Sequence, residues 1–237
     1  MDKQAVTFSD WGRIAYSDAW QKQEELLSFN VGTKISARQE NIFDPFKINT
    51  ENYLVFCEHP PVFTLGKSGD ISHLLIAENM LKQKGIEFYK TNRGGDITFH
   101  GPEQIVGYPI LDLEKFSTDI GLFLRNIEEV IIRTLNDYGI KGQRSSGETG
   151  VWIEPESKIN ARKICAIGVR CSRWVTMHGF AFNINTDLSY FDMIVPCGIQ
   201  NKKVTSLEKE LGKKISVNEV KVKLIKHFAD LFNAEII

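Results

Sequence analysis

The sequence predicts an α+β fold: a mixed, largely antiparallel β-sheet flanked by α-helices. Three observations carry this. Residues 118–138 and the run after Ser216 repeat apolar side chains every three or four positions, the period of an amphipathic helix. Several short runs rich in β-branched and aromatic residues read as strands. The two kinds of segment do not alternate as a parallel, doubly wound sheet requires.

In chain order, residues 18–28 (DAWQKQEELLS) offer Ala19, Trp20, Leu26 and Leu27 as the apolar positions of a helix. Residues 53–57 (YLVFC) read as a strand closed by His59-Pro60-Pro61, and residues 62–65 as another. Residues 97–99 and 104–110 are strands joined through His100-Gly101-Pro102, a turn signal. In residues 118–138 the stripe is Ile120, Phe123, Leu124, Ile127, Val130, Ile131 and Leu135, and Gly139 sits where a C-terminal cap glycine belongs. Residues 150–153, 163–170 and 174–184 are strand-like. Ser216 and Glu219 form a capping box for a last helix with Val220, Leu224, Phe228, Leu231 and Phe232 as its stripe.

With 237 residues, 42% of them hydrophobic, the chain is long enough for one sizeable core without disulfide or metal staples. We expect one catalytic domain over residues 1–237, with the helical segment 205–237 packed on it. Twenty-nine basic against thirty acidic residues argue against nucleic acid or an anionic membrane as partner. No apolar run has the length of a signal peptide or a bilayer span. Cys57, Cys165, Cys171 and Cys197 form no CxxC pair, which points to a reducing compartment, the cytoplasm. No His/Cys/Asp cluster has metal-ligand spacing, so no metal is expected. The Lys-rich tail (Lys202, Lys203, Lys209, Lys213, Lys214, Lys221, Lys223, Lys226) reads first as a solvated face and second as a docking patch for an acidic protein.

Two segments carry chemistry. In NRGGDITFHGPEQ, Gly94 and Gly95 let backbone approach a ligand closely, Arg93 anchors the loop or an acidic group, and residues 98–100 alternate polar and aromatic faces. Neither GxxxxGK[ST] nor GxGxxG occurs, so no nucleotide cofactor is expected. In Pro196-Cys197-Gly198 a stiff approach, a thiol and an unencumbered N–H suit a nucleophile beside an oxyanion donor. Such a thiol needs a base or a cation; Lys163, His100 and His178 are the candidates, while His59, His73 and His227 sit in unremarkable contexts. Gly179 inside an apolar strand signals close approach of backbone or ligand, and a bulky residue there is expected to block the ligand rather than unfold the chain.

The segments EHPPVFTLG (58–66), RGGDITFHGP (93–102), KICAIG (163–168), HGF (178–180) and PCG (196–198) together resemble the lipoyl (octanoyl) transferase family, in its order and with similar spacing. The resemblance implies the biotinyl/lipoyl protein ligase fold. It also implies transfer of an octanoyl or lipoyl group from acyl carrier protein to a lysine of lipoyl domains, in 2-oxoacid dehydrogenase E2 subunits and the glycine cleavage H protein. On it, Cys197 is the nucleophile that forms a thioester and Lys163 its partner. The acyl group would lie against Arg93, Gly94, Gly95, Asp96, Ile97, Thr98, Phe99 and His100, against Ala166, Ile167 and Gly168, and against Gly179, Phe180 and Ala181. No cofactor is implied, and a monomer is expected. A lipoyl amidotransferase and an ATP-dependent lipoate ligase of the same fold are the alternatives. One departure stands out: the family commonly has glycine where this chain has Glu103, whose side chain must either leave the acyl tunnel or narrow its mouth.

Overall fold

A computed structural model describes residues 3–195 and 203–237. In chain order the elements are β1 (Gln4–Arg13), α1 (Tyr16–Gln39), β2 (Tyr53–Glu58), β3 (Val62–Leu65), α2 (Glu78–Gln83), β4 (Glu87–Lys90), β5 (Ile97–His100) and β6 (Gln104–Ile110). Then come α3 (Ile120–Asn136), β7 (Gln143–Ser145), β8 (Glu148–Ile153), β9 (Arg162–Ser172), β10 (Val175–Asn183), β11 (Lys203–Val204), α4 (Leu207–Leu211), α5 (Val217–Leu231) and β12 (Ala234–Ile236).

A nine-stranded sheet runs β12-β1-β2-β6-β10-β9-β8-β7, with β11 beside β9, and a three-stranded sheet runs β4-β3-β5. β1 is parallel to both its neighbours and β11 is parallel to β9; the ladders from β2 to β7 are antiparallel. The sheet is therefore mixed and largely antiparallel, as the sequence predicts. β5 and β6, adjacent in sequence, belong to different sheets. The turn at 101–103 is where the chain passes from the small sheet to the large one.

The pleat sends alternate residues of each strand to opposite faces. Leu54 and Phe56 of β2, Ile105 of β6 and Phe180 and Phe182 of β10 face α3 and α5, where Ile127, Ile131, Val220, Leu224 and Phe228 complete the main core. Asp119 caps α3 by accepting from Leu122 N at 3.0 Å, and Gly139 follows the helix with φ +72°. Ser216 caps α5 through Glu219 N at 3.4 Å, but the Glu219 carboxylate accepts instead from Tyr138 OH at 3.0 Å, so the capping box is half formed.

The opposite face lies under α1, which extends well past the predicted 18–28. Its buried positions are Tyr16, Ala19, Gln23, Leu27, Asn30, Lys34 and Ala37, a regular helical stripe of which three members are polar. Asn30 exchanges two 2.8 Å hydrogen bonds with the Glu51 backbone, and Lys34 pairs with Asp112 and Glu114. A hydropathy pattern does not register such a stripe. In the Lys-rich tail Lys221 reaches Asp10 at 2.7 Å and Lys214 reaches Glu103 at 3.1 Å, so part of that charge is spent within the chain.

Candidate active site

Between the large and small sheets lies a cavity of about 810 Å³. One wall is the β9–β10 ladder, where Ala166 pairs with Ala181, Ile167 with Phe180 and Gly168 with Gly179. The facing wall is the loop 93–96 and the polar face of β5, Thr98 and His100. The structure thus gathers every described residue predicted to touch the acyl group except one. Phe99 turns away: it is 1% exposed, stacks on Tyr190 with centroids 4.4 Å apart, and belongs to the small sheet's own core. The period of two along β5 places it opposite Thr98 and His100, on the face it shares with Ile97 in the small sheet's core; Ile97 still borders the cavity, and Ile167 and Phe180 supply its apolar lining.

Arg93 is the anchor of its loop. Its guanidinium donates to Thr64 O (2.6 Å), Thr64 Oγ1 (2.8 Å) and Gly94 O (2.9 Å), tying the loop to β3. Gly94 N then donates to Val169 O at 2.9 Å, which closes the loop onto β9. A Cβ at Gly168 would stand 2.7 Å from Gly94 O, so this approach requires glycine. Gly179 is tighter still: its Cβ would meet Gly107 O at 2.0 Å and Pro109 Cδ at 2.6 Å. The glycine serves contact between β10 and β6 as well as room in the cavity, which corrects the expectation that a bulky residue there leaves the fold intact.

Lys163 enters the cavity from β9 at 9% exposure, with Nζ 4.6 Å from the centre of the Trp152 ring on β8, a cation–π contact. β11 pairs alongside, Val204 opposite Lys163, and Thr205 N donates to Lys163 O at 2.9 Å. Cys197, Pro196 and Gly198 lie outside the described residues. The segments flanking them are anchored at the cavity: Val195 N donates to His73 O at 2.8 Å, and His73, Lys163 and Val204 all line the space. Cys57 and Cys165 are buried, and burial pushes both thiols up.

His100 is hydrogen-bonded on both ring nitrogens. Gln104 donates from Nε2 to Asn183 Oδ1, so its Oε1 faces His100 and accepts from Nδ1 at 3.0 Å. Thr64 Oγ1, which takes Arg93 donors, gives its own proton to His100 Nε2 at 3.2 Å. With both nitrogens engaged, and burial together with His59 and Arg93 holding it well below its ordinary value, His100 is a neutral wall residue stacked on Tyr16. Behind it His59 donates from Nδ1 to Ile14 O (2.8 Å) and accepts from Tyr108 OH (2.7 Å), and burial holds it down to about 4.

Sequence reasoning missed His73, Tyr16 and Tyr108, all of which line the cavity. His73 Nδ1 meets Asp96 Oδ2 at 2.6 Å, while Asp96 Oδ1 accepts from Ile97 N. Nothing in the local pattern around these residues signals the role, because tertiary structure alone brings them to the loop 93–96.

A sequence profile described as "Lipoyl protein ligase A/B catalytic domain" matches residues 34–229. The chain belongs to this family. It is 58% identical over 222 residues to a protein named Octanoyltransferase from Christiangramia forsetii, covering 93% of each chain. It is 57% identical to another so named from Flavobacterium johnsoniae, covering 98% of each. Among solved structures it resembles a bi-partite lipoate protein ligase from Thermoplasma acidophilum (TM-score 0.66, 15% identity, 100% of this chain and 88% of that one). It also resembles P. falciparum LipL1 in complex with lipoate (TM-score 0.68, 16% identity, 98% and 65%). These place the fold with the lipoate protein ligases, as the family resemblance implied. No helix among the described residues is long and apolar enough to cross a membrane.

Proposed function

We propose that this chain transfers an octanoyl group from the thioester of an acyl carrier protein to a lysine of a lipoyl domain, through a thioester on Cys197. The observation that carries the reading is near-full-length identity of 57–58% to two proteins named Octanoyltransferase. The cavity supports it: small residues (Ala166, Gly168, Gly179, Ala181) leave a slot that Ile167 and Phe180 make apolar, beside the buried Lys163. Each buried methylene of the chain contributes about 0.8 kcal/mol.

In this scheme the Cys197 thiolate attacks the donor carbonyl and the carrier thiol leaves. The acceptor lysine amine then attacks the Cys197 thioester, forming an amide and returning the thiolate. The Lys163 ammonium favours the thiolate in the first step and gives its proton to the departing carrier sulfur, so that the neutral amine it becomes takes up the acceptor's proton in the second and restores the starting pair. The acceptors are lipoyl domains of 2-oxoacid dehydrogenase E2 subunits and the H protein of glycine cleavage. The enzyme acts in the cytoplasm as a monomer, one catalytic domain over residues 1–237 with segment 205–237 packed on it.

Intact mass after incubation with octanoyl-acyl carrier protein tests this. The wild type gains one octanoyl group that hydroxylamine removes, and Cys197→Ala gains none. An adduct that survives the substitution overturns the choice of nucleophile. Transfer by a Cys197→Ser variant with free octanoate and ATP would replace this reading by a ligase. Lys163→Ala slows transfer by roughly 10²–10⁴-fold while the folded circular dichroism spectrum is retained; an unchanged rate removes Lys163 from the mechanism.

A further inference from the structure

In becoming an amide, the acceptor lysine gives up two protons. It arrives as an ammonium ion with a pKa of about 10.4, so at pH 7 only about one in 2,500 is the neutral nucleophile. Lys163, having protonated the carrier sulfur, takes back one of the two protons. The other needs a second base. His59, His100 and His178 are poor candidates, because burial holds all three below their ordinary values.

His73 is placed differently. It lines the same cavity, yet its side chain is 27% exposed, so it can exchange a proton with water. It closes a short turn over residues 71–73 that Asp70 caps by accepting from Ser72 N at 2.8 Å. Its Nδ1 meets Asp96 Oδ2 at 2.6 Å, and Ile97 N holds the other oxygen of that carboxylate at 2.7 Å. A carboxylate only accepts, so Nδ1 carries the proton and Nε2 of the neutral ring keeps the lone pair. Nε2 has no hydrogen-bond partner among the described residues. A histidine oriented by a fixed carboxylate, with its second nitrogen uncommitted, is the arrangement that general-base catalysis requires.

The backbone ties this pair to the reacting end of the cavity. Residues 73–75 run antiparallel to 193–195: Val195 N donates to His73 O at 2.8 Å, Leu75 N donates to Met193 O at 2.9 Å, and Leu74 lies opposite Ile194. From Val195 to Cys197 the chain is two peptide units long, about 7 Å at full extension.

We infer that His73, oriented by Asp96, is the base that takes the first proton from the acceptor's ammonium group. Nε2 accepts that proton, and the amine so formed attacks the thioester. Lys163 takes the second proton as the amide forms and the Cys197 thiolate leaves. Asp96 and the nearby Asp70 stabilise the imidazolium until it returns its proton to water, one for each turnover. The inference rests on the transferase reading given above, and the experiment separates the two.

The full chain, loaded from octanoyl-acyl carrier protein, is offered two acceptors at pH 7. A lipoyl domain presents a lysine ammonium that has to be deprotonated, whereas hydroxylamine is already neutral and needs no first base. In His73→Ala the ratio of the two deacylation rates, lysine over hydroxylamine, is expected to fall roughly 10²–10⁴-fold. Added imidazole restores part of the loss. A His73 that only shapes the cavity affects both acceptors alike, so an unchanged ratio overturns the inference. Histidine ¹⁵N spectra of the wild type give a readout that survives even if the variant fails to fold. The neutral His73 ring is expected as the Nδ1-protonated tautomer, and the Nε2-protonated form overturns the inference. Either contrary result on a wild type that forms the adduct removes this inference alone. If the wild type forms no hydroxylamine-sensitive adduct, the thioester reading falls and this inference with it.

Discussion

Leu54 and Phe56 of β2 point toward α3 and α5, into a core of aliphatic and phenyl side chains. The residues between and after them, Val55 and Cys57, point toward α1. On that side the buried set includes Gln23, Asn30, Lys34, His59, Asp112 and His178. The same strands thus carry an oily face and a wired one. Burial of apolar surface is non-directional, so the first face stabilises the sheet without prescribing the position of any one atom. Hydrogen bonds are directional, and on the second face they fix the cavity wall atom by atom: Arg93 onto Thr64, Gln104 onto His100, Asn92 onto His178. Stability is drawn mainly from one face, and placement of the candidate site from the other.

Acid separates the two faces most strongly. Burial holds His59 down to about 4 and His178 to about 3, and His100 lies well below its ordinary value. All three are then neutral in the folded chain, whereas in the unfolded chain they charge below about pH 6.5. The unfolded state therefore binds up to three more protons, and stability is full above that pH and falls as the pH drops toward the folded values. His59 and His178 alone account for a loss of about 3 kcal/mol per pH unit between about pH 6.5 and 5, and His100 acts in the same direction. Urea unfolding at pH 7 and pH 5 checks this. Equal stabilities would refute a neutral polar face, and His59→Gln should remove one proton from the slope.

Next in size is the apolar face. Leu224→Ala on α5, fully buried in the main core, should cost about 2–5 kcal/mol. Its urea midpoint falls by the same amount at pH 7 and pH 5, because no titrating group is touched. Gly179→Leu strikes the sheet itself. With its Cβ 2.0 Å from Gly107 O, the penalty lies at the top of the ~1–3 kcal/mol range for overpacking or beyond it. The thermal midpoint drops together with octanoyl loading; loss of loading at an unchanged midpoint would restore the simpler view of a blocked slot.

The smallest effect is expected at Glu103. It has φ +58°, but its side chain leaves the cavity for Asn185 Nδ2 (3.2 Å) and Lys214 Nζ (3.1 Å). Glu103→Gly relieves the left-handed backbone and gives up those exposed contacts, a net change within about 1 kcal/mol. Loading measured by intact mass stays at the wild-type level; a change in loading would mean that the side chain reaches the cavity mouth.

The contrast between the faces also explains what could be read from sequence. α3 and α5 were legible because most of their buried positions are apolar at helical spacing, Glu128, Thr134 and Lys221 being the exceptions, and because Gly139 and the Ser216 cap mark their ends. α1 was legible only to Ser28, because Asn30 and Lys34 occupy the buried stripe beyond it. In the cavity, the loop 93–96 stood out for its glycine pair, whereas Lys163 was one of three candidates and was singled out only by the family resemblance. Phe99 was misplaced because the phase of a four-residue strand cannot be set without its neighbours. Tyr16, His73 and Tyr108 come to the cavity from three separate elements or turns, a convergence that no local window contains.

The parallel pairing of β1 with β12 has a consequence for synthesis. Gln4 lies opposite Ala234, and Phe8 N donates to Ile237 O at 2.9 Å. The strand that flanks one edge of the large sheet is among the first parts of this sequence to leave the ribosome, and its cover is among the last. Throughout elongation that edge offers unpaired N–H and C=O groups, a template for strands of other nascent chains. Crowded polysomes and any stop codon ahead of Ala234 should therefore expose this protein to edge-to-edge aggregation even though the candidate site, on β9 and β10, would already have been made.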